Sequence, residues 1–255
     1  MKVLKLLLGL FFVCSTENLP AIIKNSDQDV VDNGRSTSKL LRSVKSDYKT
    51  TFYDYNKDST IHIIKEESNG KIRSERKFFY KDGKIAKTIY KDSNDSESKT
   101  VFEYKGHLLL KKTIYDQNEV VAIVENFYDE NDQLIKQIEK LEWNNEANKQ
   151  TRVIDIHKVS GKNELEIKYN GVLNFIVTYD EKTSPLSSIK GYAEAYVTQF
   201  YGIANNILSW KRINKNGEAT IQTIDFIFDS NGKYPLESTK RNGERVICQE
   251  IYSYK

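Results

Sequence analysis

The chain has 255 residues, of which 38% are apolar and 29% charged, and a net charge of +3 at pH 7. That balance supports one sizeable domain or a repeat array with a wet surface, and no stretch reaches the ~20 apolar residues of a membrane-crossing helix. Basic and acidic residues are interspersed, as in Lys65-Glu66-Glu67, rather than gathered into the patch or stripe that nucleic acid requires, so nucleic acid is not an expected partner.

The first predicted element is a leader. Met1 to Lys5 is short and basic, Leu6 to Val13 is apolar, and Ser15, Thr16, Glu17 and Asn18 follow at once. This is the layout of a secretory signal peptide rather than a membrane span. It predicts an exported protein, either held in the cell envelope (lipid-anchored at the outer membrane, or periplasmic) or secreted. Two processing outcomes stand open. Residues 1–15 can be removed to give a start at Thr16, or residues 1–13 can be removed with Cys14 as the lipid attachment site of a bacterial lipoprotein. In the second case the acyl chain is the contact with the membrane. Cys248 lies in an alternating strand pattern, where a small buried apolar side chain is expected.

Residues 16–46 are rich in Ser, Asn, Asp and Lys without apolar periodicity. Such a segment cannot bury enough apolar surface to offset its ordering entropy, and is expected to be a flexible polar tether. Residues 47–255 are the predicted folded domain. Their pattern has period two: Thr100, Phe102 and Tyr104 alternate with Val101 and Glu103, and Thr220, Gln222, Ile224, Phe226 and Phe228 form one face near the end. Alternating β-branched and aromatic residues suit a pleated, half-buried surface.

Turn signals separate these runs, among them Lys81-Asp82-Gly83, Glu130-Asn131-Asp132, Tyr169-Asn170-Gly171, Lys215-Asn216-Gly217, Ser230-Asn231-Gly232 and Arg241-Asn242-Gly243. Asn-Gly and Asp-Gly supply the positive φ angles of tight hairpins. The hairpins also repeat. Tyr80, Tyr104 and Tyr128 stand 24 residues apart, as do Phe228 and Tyr252. Residues 190–204 break the pattern, with Tyr192, Ala195, Tyr196, Gln199 and Phe200 on one helical face. The predicted fold is all-β: a curved antiparallel sheet of about five or six consecutive repeated β-hairpins, with one short helical insertion near residues 190–204. Its edges are expected to be capped by its own loops, because a long open edge invites aggregation.

The aromatic-Asp-x-x-Gly hairpins resemble the YD (Rhs-like) repeats of exported bacterial proteins. More specifically, Tyr179-Asp180 through Pro185-Leu186, the pair Asn205-Asn206, and Phe228-Asp229-Ser230-Asn231-Gly232-Lys233-Tyr234-Pro235 resemble small repeat lipoproteins of the Bacteroidota. The resemblance spans roughly residues 70–255. It implies a signal peptide, frequent lipid anchoring and an antiparallel sheet, and it supplies no catalytic residue.

Chemistry-bearing constellations are sparse. His62, His107 and His157 have no zinc-ligand spacing, so no metal site is expected. There is no Gly-x-Ser-x-Gly elbow and no Gly-rich phosphate loop, so neither an enzyme nor a cofactor is expected. The candidate ligand face is aromatic: Tyr192, Tyr196, Tyr201 and Trp210 concentrate around the irregular segment, and such faces suit ligands of mixed polarity, including glycans. The expected function is therefore a non-enzymatic cell-envelope scaffold or binding module, with a glycan or an envelope protein as partner. Two alternatives predict different surfaces. A periplasmic lipid or lipoprotein carrier would enclose an apolar cleft, and a polysaccharide-processing enzyme would converge two carboxylates in one.

Overall fold

The computed structural model describes residues 39–142, 149–196 and 205–255. The leader, Cys14, residues 16–38 of the tether, and Tyr201 lie outside the described residues.

The strands follow one another in chain order. The first six are β1 (Leu41–Ser46), β2 (Thr50–Tyr55), β3 (Ile61–Ser68), β4 (Lys71–Lys81), β5 (Lys84–Asp92) and β6 (Glu97–Lys105). Then come β7 (Leu108–Asp116), β8 (Glu119–Tyr128), β9 (Leu134–Leu141), β10 (Gln150–Lys158) and β11 (Glu164–Tyr169). The last are β12 (Val172–Thr183), β13 (Asn205–Ile213), β14 (Ala219–Phe228), β15 (Pro235–Asn242) and β16 (Arg245–Tyr254). Among the described residues one short helix, α1 (Tyr192–Ala195), lies in the long β12–β13 connection. Each strand pairs antiparallel with the next.

The all-β antiparallel expectation stands, but the sheet is not open. It closes into a barrel, because β1 pairs with β16 as well as with β2. Val44 stands opposite Tyr252 on one side and Thr51 on the other. Closure removes both edges, which loops were expected to cover. The sixteen strands make more hairpins than the five or six expected, since several short strands carry too few apolar residues to announce themselves. One of these is β1, which occupies the last six residues of the stretch expected to be tether.

The turns follow the sequence signals. Asn69-Gly70, Asp82-Gly83 and Asn170-Gly171 each place two successive residues at positive φ, the type I′ geometry that matches strand twist. In longer turns an aspartate takes over. Asp129 Oδ1 accepts hydrogen bonds from the backbone N–H of Asn131 and Gln133, both at 2.9 Å. Asp229 does the same for Lys233 at 2.8 Å.

A recurring bulge explains the 24-residue repeat. Tyr104 pairs with Leu109 while Glu103 pairs with Lys111, leaving Leu110 as an extra residue. The same irregularity leaves Ala86 extra in β5, Ile135 in β9 and Leu236 in β15. Such bulges bend a strand and increase its twist, which helps a sheet close. Beside them sits a ladder of tyrosines, each donating its hydroxyl to a carbonyl one hairpin back. Tyr55 reaches Leu41 O at 2.7 Å, Tyr104 reaches Ile85 O at 3.0 Å, Tyr128 reaches Leu109 O at 2.8 Å, and Tyr254 reaches Pro235 O at 2.7 Å. Leu41, Ile85 and Leu109, at the acceptor positions, are completely buried. The repeated Tyr therefore covers its predecessor's apolar residue and satisfies a backbone acceptor at the same rim.

Candidate binding chamber

The rim carrying this tyrosine ladder also carries the chain's long connection. Asp180 fixes its base, accepting from Asn206 N at 3.0 Å, Asn206 Nδ2 at 2.9 Å and Lys182 N at 3.0 Å. From there the chain crosses the β2–β7 side of the barrel. Lys190 bridges to Thr60, and Gly191, at φ 77° in the left-handed region that favours glycine, lies against Tyr80. Ile189, Tyr192, Ala195 and Tyr196 then join Ile61, Phe78, Ile85, Phe102 and Leu109 in one core cluster. The segment is a plug over part of the interior.

A second cluster lines the other side, with Ile154, Ile156, Leu165, Ile167 and Val177 at its centre. Trp210 lies 5.0 Å from Phe175 at its margin. Along β14 the inward face is Gln222, Ile224, Phe226 and Phe228, only half-buried, while the alternating Ile221, Thr223, Asp225 and Ile227 are exposed outward. An inner wall that is aromatic yet still accessible marks open space inside the barrel.

Charges also face inward. Arg152 holds Glu139 through Nε at 2.8 Å and through Nη2. Arg76 donates through Nη1 to Tyr196 Oη at 3.1 Å, and its guanidinium sits 5.4 Å from the centre of the Tyr90 ring. Lys112 stands opposite Phe102 and Val124, on their inward side. Burial lowers its pKa, Arg76 adds to that effect, and Glu139 opposes it. Arg76 and Lys112 nevertheless keep accessible surface. Across the interior, Glu250 accepts from Tyr252 Oη at 2.8 Å and Ser238 Oγ at 3.3 Å, while burial raises its pKa.

Two clefts open at the plugged rim. One, of about 240 Å³, is lined by Lys158, Leu165, Tyr179, Asp180 and Asn205. The other, of about 500 Å³, is lined by Asn56, Lys57, Thr60, Tyr80 and Lys190. The hydroxyls of Tyr179 and Tyr80 are buried there; among the described residues Tyr179 has no hydrogen-bond partner, and Tyr80 has at most a weak contact with the Ile61 backbone. Burial holds both phenols above their usual pKa.

The outer wall differs in kind. Lys65 and Lys77 flank Glu75 at 3.6 and 3.2 Å, Lys111 meets Glu103 at 3.1 Å, and Lys140 meets Glu125 at 2.7 Å. Lys136 lies 3.7 Å from Asp155, and Arg241 lies 3.3 Å from Asp225. Lys87 and Lys99 cover the rings of Phe79 and Tyr115 at 4.3 and 4.2 Å.

The aromatic residues singled out from the sequence divide among these regions. Tyr192 and Tyr196 stack at 4.6 Å but are only 3% and 7% exposed, so they anchor the plug. Trp210 belongs to the second cluster. Cys248 is buried at 3% exposure on the inward face of β16. Arg76 and Lys112 went unselected, because in a chain with 29% charged residues a charge in an alternating strand carries no mark. Lys112 was further obscured by the bulge at Leu110, which shifts the alternation so that Lys111 faces out and Lys112 in.

No family model and no curated protein matches the chain. Solved structures are similar to it, among them two porin-like proteins. A porin-like protein from Bacteroides uniformis aligns with a TM-score of 0.53 at 14% identity, covering 87% of this chain and 99% of that one. A porin-like protein from Bacteroides vulgatus aligns at 0.44 and 10% identity, over 86% and 99% of the two chains. The first of these likenesses supports the barrel fold alone.

Proposed function

We propose that this chain is an exported, non-enzymatic binding module of the cell envelope, and that its barrel interior is the binding surface. One observation carries the reading: lysines stand mid-strand on the outer wall among its exposed apolar residues, such as Phe52, Phe79, Phe127, Ile221 and Ile227, so the described outer wall has no unbroken apolar band. A transmembrane barrel presents an outward apolar band about 25 Å tall around a polar lumen, and a Lys or Arg at mid-bilayer costs ~2–4 kcal/mol. Here Lys65, Lys77, Lys87 and Lys111 stand mid-strand on the outside, whereas Phe175, Trp210, Phe226 and Phe228 face inward. Strand length argues the same way. A tilted spanning strand needs ~9–11 residues, and β1, β2 and β11 have six each. The likeness to the Bacteroides uniformis protein thus supports the architecture without supporting a pore.

Envelope association then rests on the leader and on Cys14, in keeping with the resemblance to repeat lipoproteins. The test is extraction and binding on the full chain expressed with export. Cys14→Ser is expected to give protein that alkaline carbonate strips completely from membranes and that does not open channels in a planar bilayer. The same protein is expected to brighten a neutral apolar fluorophore such as N-phenyl-1-naphthylamine, through the chamber. Carbonate-resistant or channel-forming protein would sink the reading.

A second reading is favoured by the half-buried aromatic wall of β14: a carrier that shields an apolar chain from water. It differs from a fixed binding module in releasing its ligand to acceptor vesicles.

A further inference from the structure

Among the described residues, Arg76 and Lys112 face the interior without an ion-pair partner. Arg76 makes a hydrogen bond with the Tyr196 hydroxyl and lies near the Tyr90 ring; burial opposes its charge, and the groups that favour it are the phenols of Tyr196, Tyr192 and Tyr90, which leave its pKa raised. None is a carboxylate. Lys112 faces inward between Phe102 and Val124. The carboxylate that it feels, Glu139, is already held by two nitrogens of Arg152. No described carboxylate lies within ion-pair distance of either Arg76 or Lys112, although such pairs are common on the outer wall.

Burying a charge without a partner is costly, and proteins ordinarily avoid it or neutralise it. Both meet the plug around Tyr196: Arg76 donates to its hydroxyl at 3.1 Å, and Lys112 pairs across from Phe102, whose ring centre lies 6.0 Å from that of Tyr196; two like charges so placed add repulsion to the burial cost. Both keep accessible surface deep in the barrel, so an anion from outside could reach them. Their surroundings are apolar and aromatic: Phe78 and Phe102 are buried beside them, and Tyr192 and Tyr196 close the space from the plug. A guanidinium with free N–H donors and a nearby ammonium suit carboxylate or phosphate oxygens.

We propose that Arg76 and Lys112 form an anion-binding site beneath the plug, which takes the acidic head of an amphiphile whose apolar body lies along the inner wall. The proposal rests on the binding-chamber reading and specifies the ligand of that same site. Arg76 supplies directional hydrogen bonds, held in aim by Tyr196. Lys112 supplies a second charge on the neighbouring wall. Tyr196 couples the site to the plug, since the hydroxyl holding Arg76 belongs to the segment that covers it.

The experiment compares three ligands of equal chain length on the full exported protein: dodecanoate, dodecyl phosphate and the neutral dodecanol. Displacement of N-phenyl-1-naphthylamine and native mass spectrometry read the binding. One or both acids are expected to bind at least ~10-fold more tightly than the alcohol, the scale of one charge-assisted contact. The ranking of carboxylate against phosphate identifies the head group. Arg76→Gln and Lys112→Met are each expected to erase that preference while leaving dodecanol affinity within about twofold. Lys112→Met is also expected to melt at or above the parent temperature, which separates lost recognition from lost folding. Equal binding of acid and alcohol, or an acid preference that survives both substitutions, overturns the anion site while the chamber stands. If the fluorophore and all three ligands fail to bind, the chamber reading fails with it.

Discussion

Glu250 illustrates what a single residue meets on the inner wall. It accepts hydrogen bonds from Tyr252 and Ser238, and Lys49 and Lys240 lie near enough to favour its charge, yet burial outweighs them and its pKa rises above 4.5. The unfolded chain titrates this group near ~4.3. Between that value and the raised folded one, the folded protein binds more protons than the unfolded chain. Stability therefore falls as pH rises through that window, and the penalty is complete above the folded pKa. Glu250→Gln is expected to stabilise the protein at pH 7 by roughly 1 kcal/mol, the scale of one shifted group, and to give no gain at pH 4. Urea unfolding at the two pH values measures this. An equal gain at both would mean that packing, not charge, sets the effect. Lys112 follows the opposite sign. Its depressed pKa means that its burial cost is present at neutral pH and is relieved as pH rises from the folded toward the unfolded pKa near ~10.4.

At the scale of elements, the plug is held by a few polar contacts at its base and by aromatic packing at its tip. Asp180 accepts three hydrogen bonds there, two of them from Asn206, a residue only 3% exposed. Asp180→Ala would leave two buried donors without acceptors, at ~1–3 kcal/mol each. The expected result is faster hydrogen exchange over residues 184–196, with β14 and β15 unchanged. A uniform change across the barrel would show instead that the clamp serves global stability rather than the plug. This element was partly legible in sequence. Tyr179-Asp180 and Asn205-Asn206 stood out as a motif, and the residues near 190–204 stood out as a break in strand periodicity. The helix itself is only Tyr192–Ala195, preceded by Gly191 in a left-handed conformation. The turns were the most legible part of the chain, since Asp-Gly and Asn-Gly specify geometry within two residues. The direction in which each side chain points was the least, because a recurring one-residue bulge reverses the alternation on which such readings depend. Tyr192 and Tyr196 look like a ligand platform in sequence for a related reason. An aromatic stripe has the same spacing whether it faces solvent or, as here, fills the gap between plug and wall.

At the scale of the whole molecule, what local pattern could not announce is closure. An open sheet and a closed barrel have the same hairpins, the same turns and the same alternation, and they differ only in whether the first strand finds the last. That pairing joins Leu41 to Tyr254 and Val44 to Tyr252 across nearly the entire chain, and its entropic cost must be offset by one short strand and the interior that it completes. Val44 is the residue on which this turns: it is 6% exposed, with Thr51 and Tyr252 beside it on the neighbouring strands. Val44→Pro removes an N–H from the seam and cannot pair on both sides. It is expected to cost at least ~3 kcal/mol and to free the edges of β2 and β16, so that the protein associates with increasing concentration. Val44→Thr, which keeps the β-branch and the N–H, is expected to remain monomeric. Light scattering coupled to size exclusion distinguishes the two. A monomeric, folded Val44→Pro would show that the remaining strands protect their own edges, and that the seam serves to enclose the chamber rather than to prevent association. Either result bears on the inner cations, because Arg76 and Lys112 lie on β4 and β7, away from the seam, and are closed in by the plug as well as by the wall. If opening the seam abolishes acid binding while hydrogen exchange over residues 184–196 stays slow, the amphiphile's apolar body must run from the cations toward β14–β16.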